Sequence, residues 1–188
     1  MEAIIGFLLG VLSSLVIWIL TSQILVPKIQ FSGHICRYYV DNMKLAGYEF
    51  KLCNNGRRNI FDINVYFNIN IKGLVYPDLY ENYIIPIGTC ENKITVLKPS
   101  KKGLTMSINA VQLNLLDKKY FPKHIIMKCK NKQLTLDDLY ALGTDVYAEI
   151  TLFGYDSYSG TKKHFCSHKY RLENIMKGEF ELDSLLVK

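Results

Sequence analysis

Three hydropathy patterns follow one another along this chain: an unbroken apolar run, a series of alternating runs, and one segment with helical spacing. Residues 3–20 are nearly all apolar, and no charged side chain stands between Glu2 and Lys28. Thr21, Ser22 and Gln23 form a polar shoulder, and Pro27 suits a stop. A helix that crosses a bilayer needs about 20 mostly apolar residues, because its backbone groups must pair internally once water is gone. A buried helix of a soluble domain would show a polar face, and this run shows none. A cleaved secretory signal would have a positive n-region, a shorter apolar core and a small-x-small site, none of which is present. The pattern predicts an uncleaved transmembrane anchor over residues 1–27.

Beyond it, alternation of period two dominates. Residues 61–72 place Phe61, Ile63, Val65, Phe67, Ile69 and Ile71 on one side and polar residues, with Tyr66, on the other. That is a strand with one buried and one wet face. Residues 48–53, 104–110 and 146–152 alternate likewise, and 34–40, 83–87, 93–97 and 163–169 are shorter candidates, so about eight strands are expected. Asn54-Asn55-Gly56 between the first two long runs predicts a tight hairpin turn. Eight half-buried strands need a cover, which predicts a mainly β chain: an antiparallel β-sandwich over residues 28–188. No repeat or Gly/Ser/Pro-rich linker divides it, so one domain is expected.

Residues 117–143 break the strand rhythm and predict a short helical insertion. Pro122 suits a first helical turn, and 123–130 reads as a short helix. Thr135 followed by Asp138 is a capping box with the acid shortened by one carbon. Leu136, Leu139, Tyr140 and Leu142 give an apolar stripe, and Gly143 is placed to end the helix.

The run YEFKLCNNGRRNIFDINVYF (48–67), followed by ITVLKPSKKGLTMSI (94–108), resembles the strand–Asn-Gly–strand and Leu-Lys-Pro elements of bacterial immunoglobulin-like β-sandwiches. The resemblance covers about half the chain, implies a fold and carries over no functional residue. The Cys…Trp…Cys core of the antibody type is absent; the sole tryptophan, Trp18, lies in the apolar run.

Charge adds an orientation. The formal net charge is +6, and Lys28, Arg37 and Lys44 follow the apolar run while no Lys or Arg precedes it. Positive flanks are retained on the cytoplasmic side, so the folded domain is expected in the cytoplasm, on a single-pass cell-membrane protein. Cys36, Cys53, Cys90, Cys129 and Cys166 are odd in number and widely spaced, unlike a disulfide framework. No Asn-x-Ser/Thr acceptor occurs.

Candidate chemistry is sparse. Gly6, Gly10 and Ser14 recur every four residues and would leave a groove through which two spanning helices pair as a homo-oligomer; small residues are also simply common in such helices. His164, Cys166 and His168 would share one strand face, where imidazole and thiolate can reach one metal, but a closed site needs a fourth ligand. The stretch 154–160, GYDSYSG, carries the residues of a hairpin turn and lacks a base and orienter for catalysis. Lys118, Lys119, Lys123, Lys128 and Lys130, interleaved with Tyr120, Phe121, Ile125, Ile126 and Met127, suit an anionic lipid surface or a partner, or else a solvated helix packed on the sandwich. No phosphate-cradling glycine loop, HExxH or CxxC pattern occurs, so no cofactor is implied. Nucleic acid binding lacks a stacking platform or groove-reading helix. The expected role is a non-enzymatic module that recruits or senses a protein partner or ligand at the cytoplasmic membrane face. The alternative is a bacterial membrane effector or sensor whose helix oligomerises and perturbs the bilayer.

Overall fold

The computed structural model describes residues 2–40, 45–74, 82–89, 92–108, 116, 118–181 and 183–187. Its first element, α1 (Glu2–Ile19), continues into a π-helical turn over Leu20–Ile24, closed by the Leu25 N–H on the Leu20 carbonyl (2.8 Å). No α1 side chain is buried. The stretch Glu2–Ser22, 21 residues with a mean hydropathy of 2.6 over its most apolar 18, is long and apolar enough to cross a membrane. At 1.5 Å per residue it measures about 30 Å, the thickness of the hydrocarbon core.

Among the described residues ten strands follow, in two facing sheets of five. The first sheet holds β1 (Ile29–Phe31), β2 (Ile35–Val40), β3 (Leu45–Asn54), β7 (Ser100–Ile108) and β10 (Ile175–Lys177). Leu52 pairs with both Phe31 and Leu104, and Tyr48 with both Arg37 and Ile108, so β1 and β2 share one side of β3 while β7 takes the other. β10 adds to β2 in parallel. The second sheet holds β4 (Ile60–Lys72), β5 (Asn82–Ile87), β6 (Lys93–Leu97), β8 (Asp145–Asp156) and β9 (Lys162–Cys166). β8 runs along the whole of β4, β5 and β6 succeed each other on its far side, and β9 closes the sheet.

The inner faces meet as alternation requires. Phe50, Leu52 and Met106 pack on Ile63, Val65, Phe67, Ile69, Ile71, Ile150 and Leu152, and the Phe50 and Phe67 rings stack at 6.1 Å. Tyr170, completely buried, ties the sheets together: its backbone pairs with Ala148 and its hydroxyl donates to the Ser32 carbonyl at 2.7 Å.

The chain is mainly β, as its alternation predicts, but two local expectations need correction. Asn54-Asn55-Gly56 is no hairpin: β3 and β4 belong to different sheets, so these residues cross between layers, and Gly56 has no left-handed φ. The alternation of 61–72 is also broken near its start. Asp62 (φ +47°) and Ile63 together face Gly154, between the pairs Phe61–Tyr155 and Asn64–Phe153. This β-bulge shifts the phase, so Ile60 is buried and Phe61 is exposed. Gly154 leaves the needed room, since a Cβ there would overlap the Ile60 side chain.

The insertion contains α2 (Lys123–Lys130) and α3 (Leu136–Tyr140). α2 has the bounds the sequence predicts, with Pro122 as its N-cap residue and not in its first turn. The capping box of α3 forms: the Asp138 N–H donates to Thr135 Oγ1 (3.2 Å) and the Thr135 N–H to Asp138 Oδ2 (3.0 Å). Ile125, Cys129, Leu136, Leu139 and Leu142 join the core. Gly143 (φ +71°) lies against the Lys72 carbonyl, too close for any side chain. Lys44 and Cys90, and positions 109, 110 and 117 of the ranges expected above, lie outside the described residues.

Candidate functional site

The junction of α1 with the sandwich is tightly constrained. Within three residues of the π-turn the chain is bonded into the domain. The Val26 carbonyl accepts from the Arg57 N–H (3.1 Å), the Lys28 carbonyl accepts from the Asn55 N–H (2.8 Å), and the Lys28 N–H donates to Asn54 Oδ1 (3.2 Å). Asn54 is buried and its amide is fully used, Oδ1 also accepting from the Gly56 N–H (3.0 Å) and Nδ2 donating to the Arg58 (2.7 Å) and Leu97 (3.2 Å) carbonyls. A Cβ on Gly56 would overlap the backbone of Val26 and Lys28 and lie 2.6 Å from Pro27 Cα. Asn-Asn-Gly is therefore a socket for the segment leaving the helix. Its bonds bring Lys28, Arg57 and Lys98, all exposed, to the helix exit.

Beside this exit lies an open cleft of about 210 Å³, bounded by Thr21 and Ser22 of the helix end and by Arg58, Asp156, Tyr158 and Lys163 of the sandwich. The predicted turn forms its floor, joining β8 to β9 with Gly160 at φ +63°. Asp156 organises it: Oδ1 accepts from the Tyr158 N–H (3.1 Å), and Oδ2 accepts from the Ser159 hydroxyl (3.0 Å) and Arg58 Nη1 (3.4 Å). The Arg58 guanidinium lies 4.2 Å from the centre of the Tyr158 ring. The sequence marked this stretch as a turn, which it is, but gave no sign that it abuts the helix.

The two outer faces of the sandwich differ. That of the first sheet is partly covered by the chain's own C-terminal segment: the buried Lys51 ammonium donates to the Glu181 (2.5 Å) and Ser184 (2.8 Å) carbonyls, and Lys102 pairs with Asp183 (3.1 Å). On that side the Cys36 thiol is pushed up to about 11 by burial, with Glu49 and Glu179 adding to the rise. The outer face of the second sheet is open and aromatic. Tyr66 meets Phe153 edge-on (5.9 Å), Phe153 stacks on His164 (4.6 Å), and Lys162 Nζ stands 5.1 Å from the Phe153 ring centre. The ladder crosses β4, β8 and β9.

No protein-family model and no curated protein matches the chain.

The expected metal ligands are only partly brought together. His164 Nε2 lies 3.1 Å from Cys166 Sγ, but β9 ends at Cys166, and His168 lies beyond it with its ring 4.1 Å from that of Tyr170. Among the described residues no three His, Cys, Asp or Glu side chains are grouped to hold a metal ion.

The insertion lysines lie at the other end of the sandwich. Phe121 packs on Tyr83, the partner of Ile71, and Gly143 on Lys72, both at the far end of the 13-residue β4. That is about 40 Å along the strand from the helix exit at 3.3 Å per residue. Lys118, Lys119, Lys123, Lys128 and Lys130 are exposed there, with Lys128 paired to Asp138 (2.7 Å). They reach the bilayer only if the sandwich lies flat on it. Gly6, Gly10 and Ser14 are exposed on α1, and nothing lies within 4 Å of a Cβ placed on either glycine. The Ser14 hydroxyl donates to the Gly10 carbonyl (2.9 Å), which keeps this face small and self-satisfied.

Proposed function

We propose that the chain is an uncleaved single-pass membrane protein whose sandwich acts at the cytoplasmic face as a non-enzymatic interaction module. The observation that carries the reading is the contrast between the outer faces: one partly covered by the C-terminal segment, the other left open with Tyr66, Phe153 and His164 in a ladder. Exposed aromatics on a rigid sheet offer contact area at low entropic cost, which suits partner recognition. The anchor reading is supported by the length and apolarity of Glu2–Ser22 and by the use of Val26 and Lys28 as parts of the fold. Lys28, Arg57 and Lys98 at the helix exit support a cytoplasmic orientation. Two facing sheets support an immunoglobulin-like reading of the fold.

The test is photocrosslinking in intact membranes, with a benzophenone amino acid at Tyr66 or, for comparison, at Lys101 of the first sheet. The reading expects discrete heavier adducts with a second protein from position 66 only. Adducts from neither position, or only chain-to-chain adducts, would overturn it. A second reading rests on the unoccupied Gly6, Gly10 and Ser14 face: self-association of α1 that perturbs the bilayer. Discrete higher oligomers on cross-linking in detergent, lost on Gly10→Leu, would favour it.

A further inference from the structure

We infer that the cleft at the helix exit binds the phosphodiester of an anionic glycerophospholipid whose head group carries no further charge. The inference rests on the reading of α1 as a membrane span. That reading puts Thr21 and Ser22 at the end of the apolar stretch, at the depth of lipid phosphates. Both residues line the cleft, so it opens where head groups lie.

Charge selects the ligand. Arg58 and Lys163 face one acid, Asp156, leaving the cleft with one excess positive charge. Asp156 is nearly inaccessible and already accepts from Arg58, the Tyr158 N–H and Ser159, so it is not free to receive a cationic head group. Among the described residues the Arg58 side chain makes one hydrogen bond, the long one to Asp156. Its other N–H groups therefore remain to donate, and an arginine that presents several fits a phosphate well. The half-buried Lys163 has no carboxylate partner among the described residues. A monoanionic phosphodiester satisfies both cations and leaves no charge over. The volume agrees: about 210 Å³ lies below the roughly 300–1,000 Å³ of sites for drug-sized ligands.

The experiment is native mass spectrometry of the full chain, released from detergent after equilibration with equal amounts of phosphatidylglycerol and phosphatidylcholine. The wild type is expected to retain phosphatidylglycerol preferentially. Lys163→Gln, which removes an unpaired cation and leaves the Arg58–Asp156 pair intact, should lower that retention about fivefold. Lys130→Gln, at the far end, should leave it unchanged. Equal retention by wild type and Lys163→Gln, or no preference between the lipids, would overturn the inference. So would binding of soluble glycerophosphoglycerol as tightly as the lipid by the chain in phosphatidylcholine nanodiscs, which would assign a soluble anion instead. The same spectra give the chain mass. A chain lacking the apolar stretch would overturn the anchor reading together with the lipid, whereas an intact chain without adduct overturns the lipid alone.

Discussion

Gly56 and Lys28 meet backbone to backbone, with no space between them for a methyl group. The contact joins the corner between β3 and β4 to the segment leaving α1, so the sandwich is mounted on the helix without a flexible linker.

Gly56→Ala should therefore destabilise the full chain by about 1–3 kcal/mol, the usual cost of overpacking a tight site. Because the demand is for space and not for a left-handed φ, Gly56→Asn should do no better, although a hairpin turn would accept it. Thermal melts of the three chains in the same detergent check this.

Asp156→Ala should be among the most disruptive single changes in the sandwich. The Asp156 and Arg58 side chains are 2% and 11% exposed, so solvent screens the pair little. Removing one partner strands the other charge, a loss of about 3–5 kcal/mol. Asp156→Asn keeps an acceptor for the Tyr158 N–H and should lose less. Urea midpoints order the variants.

At the bulge, Asp62 and Gly154 make opposite demands. Asp62→Gly relieves a left-handed φ and should be tolerated, while Asp62→Val should cost about 1–3 kcal/mol. Gly154→Ala drives a methyl into Ile60 and should also lose stability. A stable Gly154→Ala would show that the phase shift of β4 is wrong.

The α3 cap predicts an acid dependence. Burial alone would raise the Asp138 carboxyl, but hydrogen bonds from Lys128 and from the Thr135 N–H and hydroxyl outweigh it and hold the pKa below its usual value. A carboxyl depressed by folding stabilises above its unfolded pKa of about 3.9 and loses that contribution as pH falls through the lower folded value. Thr135→Ala should cost about 1 kcal/mol at neutral pH, and the gap between variant and wild type should narrow below pH 4. Denaturation midpoints at pH 7 and in that acid range measure it.

Much of the architecture is legible in the sequence. The alternation of Val65, Phe67, Ile69 and Ile71, the spacing of Thr135 and Asp138 and Gly160 of the β8–β9 turn each fix local structure through short-range geometry. Period two, however, tells which face of a strand is buried and not which sheet the strand joins, so β3 and β4 read as a hairpin. The phase shift at Asp62 depends on Gly154, more than ninety positions away along the chain. Arg58, Asp156 and Lys163 carry no local pattern, and only the register of β4, β8 and β9 gathers them beside Thr21 and Ser22. The insertion lysines form a clear basic run, but the run says nothing of which end of the sandwich bears it.

The most direct test of a membrane-anchored cytoplasmic sandwich is labelling with a membrane-impermeant maleimide before and after permeabilisation of cells. Cys36, Cys53 and Cys129 are buried and Cys166 is exposed, so a Cys90→Ser chain makes Cys166 the reporter. The predicted result is a membrane-bound chain of 21.7 kDa, labelled at Cys166 only after permeabilisation. Labelling of intact cells, or a shorter chain released from the membrane fraction, would contradict it.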